Sequence, residues 1–213
     1  MRPTHTNHRG FLLRSSVAVL LCTAALALPQ AVFADDHFWQ TLSKLEFPQN
    51  TRTAFSEARK TRLQLKAKTQ SGVLWLSSDN VLVMSIQKPR AELRTISATQ
   101  LSIERDNKTR SLSLDPTRAA HQLPLIIVDV LRGDLTRLRN GFRVAPTQEN
   151  VAAKNSNQTE SWSMRLVPVE RALKKQLTAL MLSGEGDRLL TLRTERGSSY
   201  QEITILAEPA PGK

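Results

Sequence analysis

The chain has 213 residues, with 30 Lys and Arg against 19 Asp and Glu for a net charge of +11, and a single cysteine. That length suits one domain with a real core. A lone cysteine excludes a disulfide framework, a redox pair and a cysteine-based metal centre.

The first residues read as an address rather than as structure. Arg2, Arg9 and Arg14 are basic, Ser16–Leu28 is uncharged and mostly apolar, and Ala31-Val32-Phe33-Ala34 puts small residues where a signal peptidase reads them. This is the layout of a secretory signal. Its apolar core of about 13 residues falls short of the roughly 20 that a spanning helix needs. Cleavage is predicted after Ala34, leaving a single domain over 35–208 and a disordered tail over 209–213. Cys22 follows Leu21 rather than a small residue, so it reads as an ordinary apolar residue of the signal and not as a lipidation site. The signal takes three basic residues and no acidic ones, which leaves 27 basic against 19 acidic residues, a net +8. In an exported protein such a surface favours an anionic lipid or an acidic partner over nucleic acid. Scattered charge serving only solubility is the plainer alternative.

Along the chain, Phe38, Leu42 and Leu45 have helical spacing within 36–45. Leu63, Leu65 and Ala67 then alternate with Arg62, Gln64, Lys66 and Lys68, which predicts a strand with one apolar face. Gln70-Ser71-Gly72 reads as a turn before a strand starting at Val73. Leu82, Met84 and Ile86 alternate in the next, and short strands follow at 93–96, 100–105 and 110–114. Leu123, Ile126, Ile127, Val130 and Leu131 return to helical spacing, with Pro124 placed in a first turn. Arg132-Gly133-Asp134 reads as a helix stop and an N-cap before a short helix over 135–139. Strands resume at 142–145, 162–167, 177–182, 189–193 and 203–206, and the Asn-rich stretch 147–159 reads as a loop. The expected fold is mainly β (α+β): a strongly curved antiparallel sheet of ten or eleven strands, an unclosed half-barrel with a helical lid. Its concave face encloses either a filled core or a lined cavity, and periodicity alone leaves both open.

Catalytic chemistry finds little support. After the signal only His37 and His121 remain as histidines. No G-x-S-x-G, H-E-x-x-H or Gly-rich phosphate loop occurs. No catalytic residue, metal or cofactor is expected. Trp75, Trp162 and Tyr200 are too scattered to stack nucleic-acid bases and are expected to pack in the sheet.

The ordered segments resemble the outer-membrane lipoprotein carrier (LolA-like) family. Ser71-Gly72-Val73-Leu74-Trp75-Leu76 is similar to the family's first hairpin, and Leu123-Pro124-Leu125-Ile126-Ile127 with Leu131-Arg132-Gly133-Asp134-Leu135 to its lid helices. Trp162-Ser163-Met164-Arg165-Leu166-Val167-Pro168 resembles its strand ending in Pro. No single segment is specific; the order of the set carries the likeness over nearly all of the chain after the signal. Two departures stand out. Ser78-Asp79 occupies the place of the family's Arg-Pro latch, and the chain ends soon after 203–206. The resemblance implies a monomeric periplasmic carrier that holds acyl chains of a lipid or lipoprotein. It would take its cargo from an inner-membrane donor complex or exporter and pass it towards an outer-membrane acceptor. A sensor or interaction module on the same fold, binding lipid or lipoprotein to signal, is the alternative.

A cavity for acyl chains needs methyl-rich, adaptable walls. The residues expected to supply them are Leu63, Leu65, Leu82, Met84, Leu101, Ile103, Leu112 and Leu114 from the sheet, and Leu123, Ile126, Ile127 and Val130 from the lid. Each is equally compatible with core packing. Gly133 and Gly141 are expected as hinges for lid movement.

Overall fold

The computed structural model describes residues 38–45, 47–145 and 161–206. The signal with Cys22, His37, the stretch 147–159 and the tail 209–213 lie outside the described residues. Residues 38–43 are helical, as their spacing predicts.

Eleven strands follow, β1 (Thr53–Lys60), β2 (Lys68–Leu76), β3 (Leu82–Lys88), β4 (Glu92–Ile96), β5 (Gln100–Arg105), β6 (Lys108–Ser113), β7 (Phe142–Ala145), β8 (Ser161–Pro168), β9 (Ala179–Glu185), β10 (Arg188–Arg196) and β11 (Ser199–Ile205). They form one antiparallel sheet in the order β6-β5-β4-β3-β2-β1-β11-β10-β9-β8-β7. Two meanders thus meet where β1 pairs with β11, with Phe55 opposite Ile205. The free edges are β6 and β7, which do not pair, so the sheet stays an open half-barrel. Besides the helical stretch 38–43, three helices complete the described residues: α1 (Ala119–Arg132), α2 (Thr136–Gly141) and α3 (Arg171–Lys174). Because α1 and α2 join β6 to β7, the chain must pass from one edge to the other, and it does so over the concave face.

That crossing makes the core. Leu125–Leu131 are all buried, Asp129 included, so this part of α1 is enclosed on every side rather than on one stripe, while Ala119–Pro124 are half-buried or exposed. It packs with Leu42, Phe55, Leu74, Leu82, Met164 and Leu182 in a single cluster. Asp129 is tied by Arg137 Nε at 2.6 Å, which fixes α2 against α1. Gly133 ends α1 with φ 71°, and its N–H donates to the Val130 carbonyl at 3.1 Å, a left-handed stop that favours glycine. Asp134 lies one residue before the N-cap, which is Leu135 because α2 starts at Thr136 and not at Leu135; its carboxylate still accepts the Thr136 N–H at 3.1 Å. That bond, with the Thr136 hydroxyl, holds the Asp134 carboxyl below the usual carboxylate range.

Several expectations need correction. The first strand is β1, and 61–67 is the turn that follows it, not a strand. The alternation of leucines with cations there reflects a turn exposed on all sides. The real strand escaped notice because its inner face mixes Phe55 with a carboxylate, Glu57. Gly72 lies inside β2 rather than in a turn. A Cβ on it would come within 2.0 Å of the Ser85 backbone oxygen, so close strand contact is what requires glycine here. Pro124 sits in the second turn of α1, since the helix starts at Ala119. The stretch 177–182 begins before its strand, because α3 and the turn after it occupy 171–178.

Candidate functional site

The inner face of the sheet changes character from one edge to the other. Near the β4–β5 turn lie Ile96 and Leu101. Two residues further along the same strands come Arg94 and Ile103, then Glu92 and Arg105. In β11 the sequence is Ile205, Ile203 and Gln201, and in β1 Phe55, Glu57 and Arg59, with Gln201 opposite Arg59. Each strand is therefore apolar at one end and polar at the other, charged in β1, β4 and β5. A period of two keeps these residues on one face, and the antiparallel register aligns like with like.

Beneath the lid this face encloses a cavity of about 690 Å³. Its apolar part is lined by Met84, Ile96, Leu101, Ile103 and Ile203 from the sheet and by Leu123, Pro124 and Ile127 from α1. Beyond Met84, Ile127 and Ile203 the interior is packed, leaving a void of about 10 Å³ that Leu82, Leu131 and Leu192 also border. The cavity therefore ends on tight packing at one side. At the other it reaches the edge formed by the turns 89–91 and 106–107, where Arg90 and Asp106 line it.

At that edge charge dominates. Arg59, Arg90, Arg94, Arg105, Lys108 and Arg110 line the cavity with only Glu92 and Asp106 as acids. Glu57 lies behind them, 1% exposed. It accepts bonds from Arg59 Nη2 (3.1 Å), Arg94 Nη1 (2.7 Å), Gln201 Nε2 (2.9 Å) and Gln70 Nε2. Glu92 accepts from Arg94 Nε and Arg105 Nη2. A buried carboxylate is tolerated only with such pairing. The result is a fixed chain, Arg105–Glu92–Arg94–Glu57–Arg59, along the wall of the cavity between its apolar part and the rim. Arg90 reaches Asp106 at 3.6 Å with both exposed. Lys108 and Arg110 have no ion pair among the described residues. The rim therefore keeps an excess of positive charge.

Of the twelve residues expected to line a cavity, Met84, Leu101, Ile103, Leu123 and Ile127 do so. Leu82 borders only the small void. Leu114, Ile126 and Val130 are buried in the core. Leu112 lies opposite Leu101 but on the edge strand, 48% exposed and outside the lining. Leu63 and Leu65 do not line the cavity at all; they stand in solvent on the β1–β2 turn. Of the two glycines expected as hinges, Gly133 has the left-handed backbone described above. Gly141 is the last residue of α2, where a Cβ would meet only the Leu173 side chain at 4.0 Å. The charged half was missed. Its signal was present as Arg94, Arg105 and Arg110 in phase with Ile96, Leu101 and Leu112 along β4, β5 and β6, but each looked like the wet face of its strand.

Other polar groups serve the framework. His121 Nδ1 accepts the Asp115 N–H at 3.0 Å at the entry to α1. The Thr117 hydroxyl (2.6 Å) and backbone N–H (2.9 Å) hold the Asp115 carboxyl below the usual range. Trp162 donates to the Gly186 carbonyl at 2.9 Å, and Arg52 and Arg193 lie over Trp75 and Tyr200. No group of metal-binding side chains occurs among the described residues. No helix among them is long and apolar enough to cross a membrane.

No curated protein matches the chain. Solved structures similar to it include a LolA superfamily protein from Nitrosomonas europaea, 8% identical, covering 83% of this chain and 94% of that one at a TM-score of 0.40. Lipoprotein LppX from Mycobacterium tuberculosis is 10% identical, with coverage of 87% and 99% and a TM-score of 0.44. An outer-membrane lipoprotein-sorting protein domain from Vibrio parahaemolyticus is 10% identical, with 80% and 88% and a TM-score of 0.40. The family described as outer membrane lipoprotein carrier protein LolA-like matches residues 26–211. By that match, which spans the sheet, the lid and the cavity between them, the chain belongs to the LolA-like family of outer-membrane lipoprotein carrier proteins.

Proposed function

We propose that this protein is a non-enzymatic carrier which binds the acyl chains of a lipid or lipoprotein and moves them through the periplasm from the inner towards the outer membrane. The observation that carries this reading is the two-ended cavity. Its volume of about 690 Å³ lies within the roughly 300–1,000 Å³ of small-molecule sites. An acyl chain gains about 0.8 kcal/mol per buried methylene. Ile96, Leu101, Leu123 and Ile127 offer that burial without demanding polar geometry, and the charged rim keeps a polar head in water. Donor and acceptor sites at the two membranes complete the cycle, and export follows from the signal over 1–34.

Native mass spectrometry of the protein purified from its own periplasm without detergent tests this. A co-purifying lipid or acyl peptide supports a carrier and names its cargo. An empty protein that also ignores a fluorescent fatty-acid probe would refute it.

A further inference from the structure

The β1–β2 turn carries a feature that the cavity does not use. Leu63 and Leu65 are 95% and 97% exposed, while the next most exposed large hydrophobic among the described residues, Leu112, is at 48%. The turn that presents them is built rather than loose. Gln64 N donates to the Thr61 carbonyl at 3.1 Å, and Gln64 Oε1 accepts the Thr61 N–H at 3.0 Å. The polar side chain between the leucines is thus folded back into the turn, and the two apolar ones face outward.

The surrounding charge has one sign. Lys60, Arg62, Lys66 and Lys68 flank the leucines, and no acidic residue occurs from 58 to 78. None of the four makes an ion pair among the described residues. The meander places this turn on the same sheet edge as the turns 89–91 and 106–107, where Arg90, Lys108 and Arg110 rim the cavity. The leucine tip, the unpaired cations and the cavity opening therefore share one edge.

We infer that this edge docks on an anionic lipid bilayer, with Leu63 and Leu65 entering the headgroup region and Lys60, Arg62, Lys66 and Lys68 at phosphate level. Charge complementarity selects this occupant, since long cationic side chains lay their methylenes on an apolar layer while their heads meet phosphate. Shape agrees. Two leucines on a narrow, projecting turn offer little of the roughly 800 Å² per partner that a stable protein interface buries, but they suit shallow insertion. Docked in this way, the protein turns its cavity opening to the membrane, so a chain passes between them without crossing water. That last consequence rests on the carrier reading; the docking does not.

The test is flotation of the whole protein with phosphatidylcholine vesicles, with and without phosphatidylglycerol. Binding is expected on the anionic vesicles and is expected to weaken with salt. The double change L63A/L65A should lower affinity about tenfold or more, and each Lys or Arg changed to Gln about fivefold. Both leucines are exposed, so folding by circular dichroism should be unchanged. The Leu65→Trp protein, read against the wild-type tryptophans, should be quenched by brominated lipid. Equal flotation of wild type and L63A/L65A, no flotation on either vesicle, or an unquenched Leu65→Trp would overturn the proposal. Uptake of a fluorescent fatty acid by the same L63A/L65A protein separates the two readings. Uptake retained with docking lost supports the turn as a membrane contact, whereas docking without any uptake in wild type would sink the carrier and leave the docking intact.

Discussion

Changing Glu57 to Gln keeps the shape of the side chain and removes its charge. In the folded protein that carboxylate is 1% exposed and accepts bonds from two arginines and two glutamines. A glutamine offers one acceptor where the carboxylate offers two, and its amide turns N–H groups towards the donors of Gln70 and Arg94. Removing one side of a buried ion pair costs about 3–5 kcal/mol. Two features pull the value down. Arg94 keeps Glu92 at its Nε, and Arg59 is half exposed, so its pair contributes little. The expected loss is therefore about 2–3 kcal/mol. For a domain of this size that is a fall in Tm of roughly 4–12 °C. Urea unfolding at pH 7 of E57Q, R94M and the double variant gives the assay, with a coupling of about 1–2 kcal/mol expected between the two positions. The control R59Q should lose under about 1 kcal/mol. If E57Q unfolds within about 0.5 kcal/mol of wild type, the reasoning fails, and the charged chain along the cavity wall is not what orders that half of the sheet.

Three further outcomes follow from the geometry. Gly72→Ala forces a Cβ to 2.0 Å from the Ser85 backbone oxygen, so the unfolding free energy from urea titration should fall by more than about 2 kcal/mol; Gly141→Ala, with only a flexible Leu173 methyl at 4.0 Å, should stay within about 0.5 kcal/mol. Ile103→Trp points an indole into the open part of the cavity, so fatty-acid probe affinity should drop about tenfold while the melting curve keeps its shape; undiminished affinity would place the chain elsewhere. Asp134 has a folded pKa below its ordinary value, so it stabilises the protein above that ordinary value and loses this contribution as pH falls through the depressed one. Asp134→Asn should accordingly lower the thermal midpoint slightly at pH 7, and the gap to wild type should close in acid.

The amino-acid pattern determined much of the protein by itself. The alternation Leu82-Met84-Ile86 and the helical spacing Leu123-Ile127-Leu131 each name their element, because a buried face must repeat with the period of the backbone that carries it. The lid inserted halfway and the strands from Leu82 onward follow from those periods and from the turns between them, whereas the count of eleven holds with β1 in place of the strand expected at Leu63–Ala67. Tertiary structure alone decided the rest. Leu63 and Leu65 alternate with cations in the same way in a half-buried strand and in a turn exposed all round, and nothing local separates the two. Glu57 hid the first strand because its partners Arg94 and Gln201 lie 37 and 144 residues away. The division of the inner face into an apolar and a charged half appears only when the antiparallel register lays Ile96 beside Leu101 and brings Glu92 within reach of Arg105. Periodicity says which residues share a face; only the pairing of distant strands says what that face encloses.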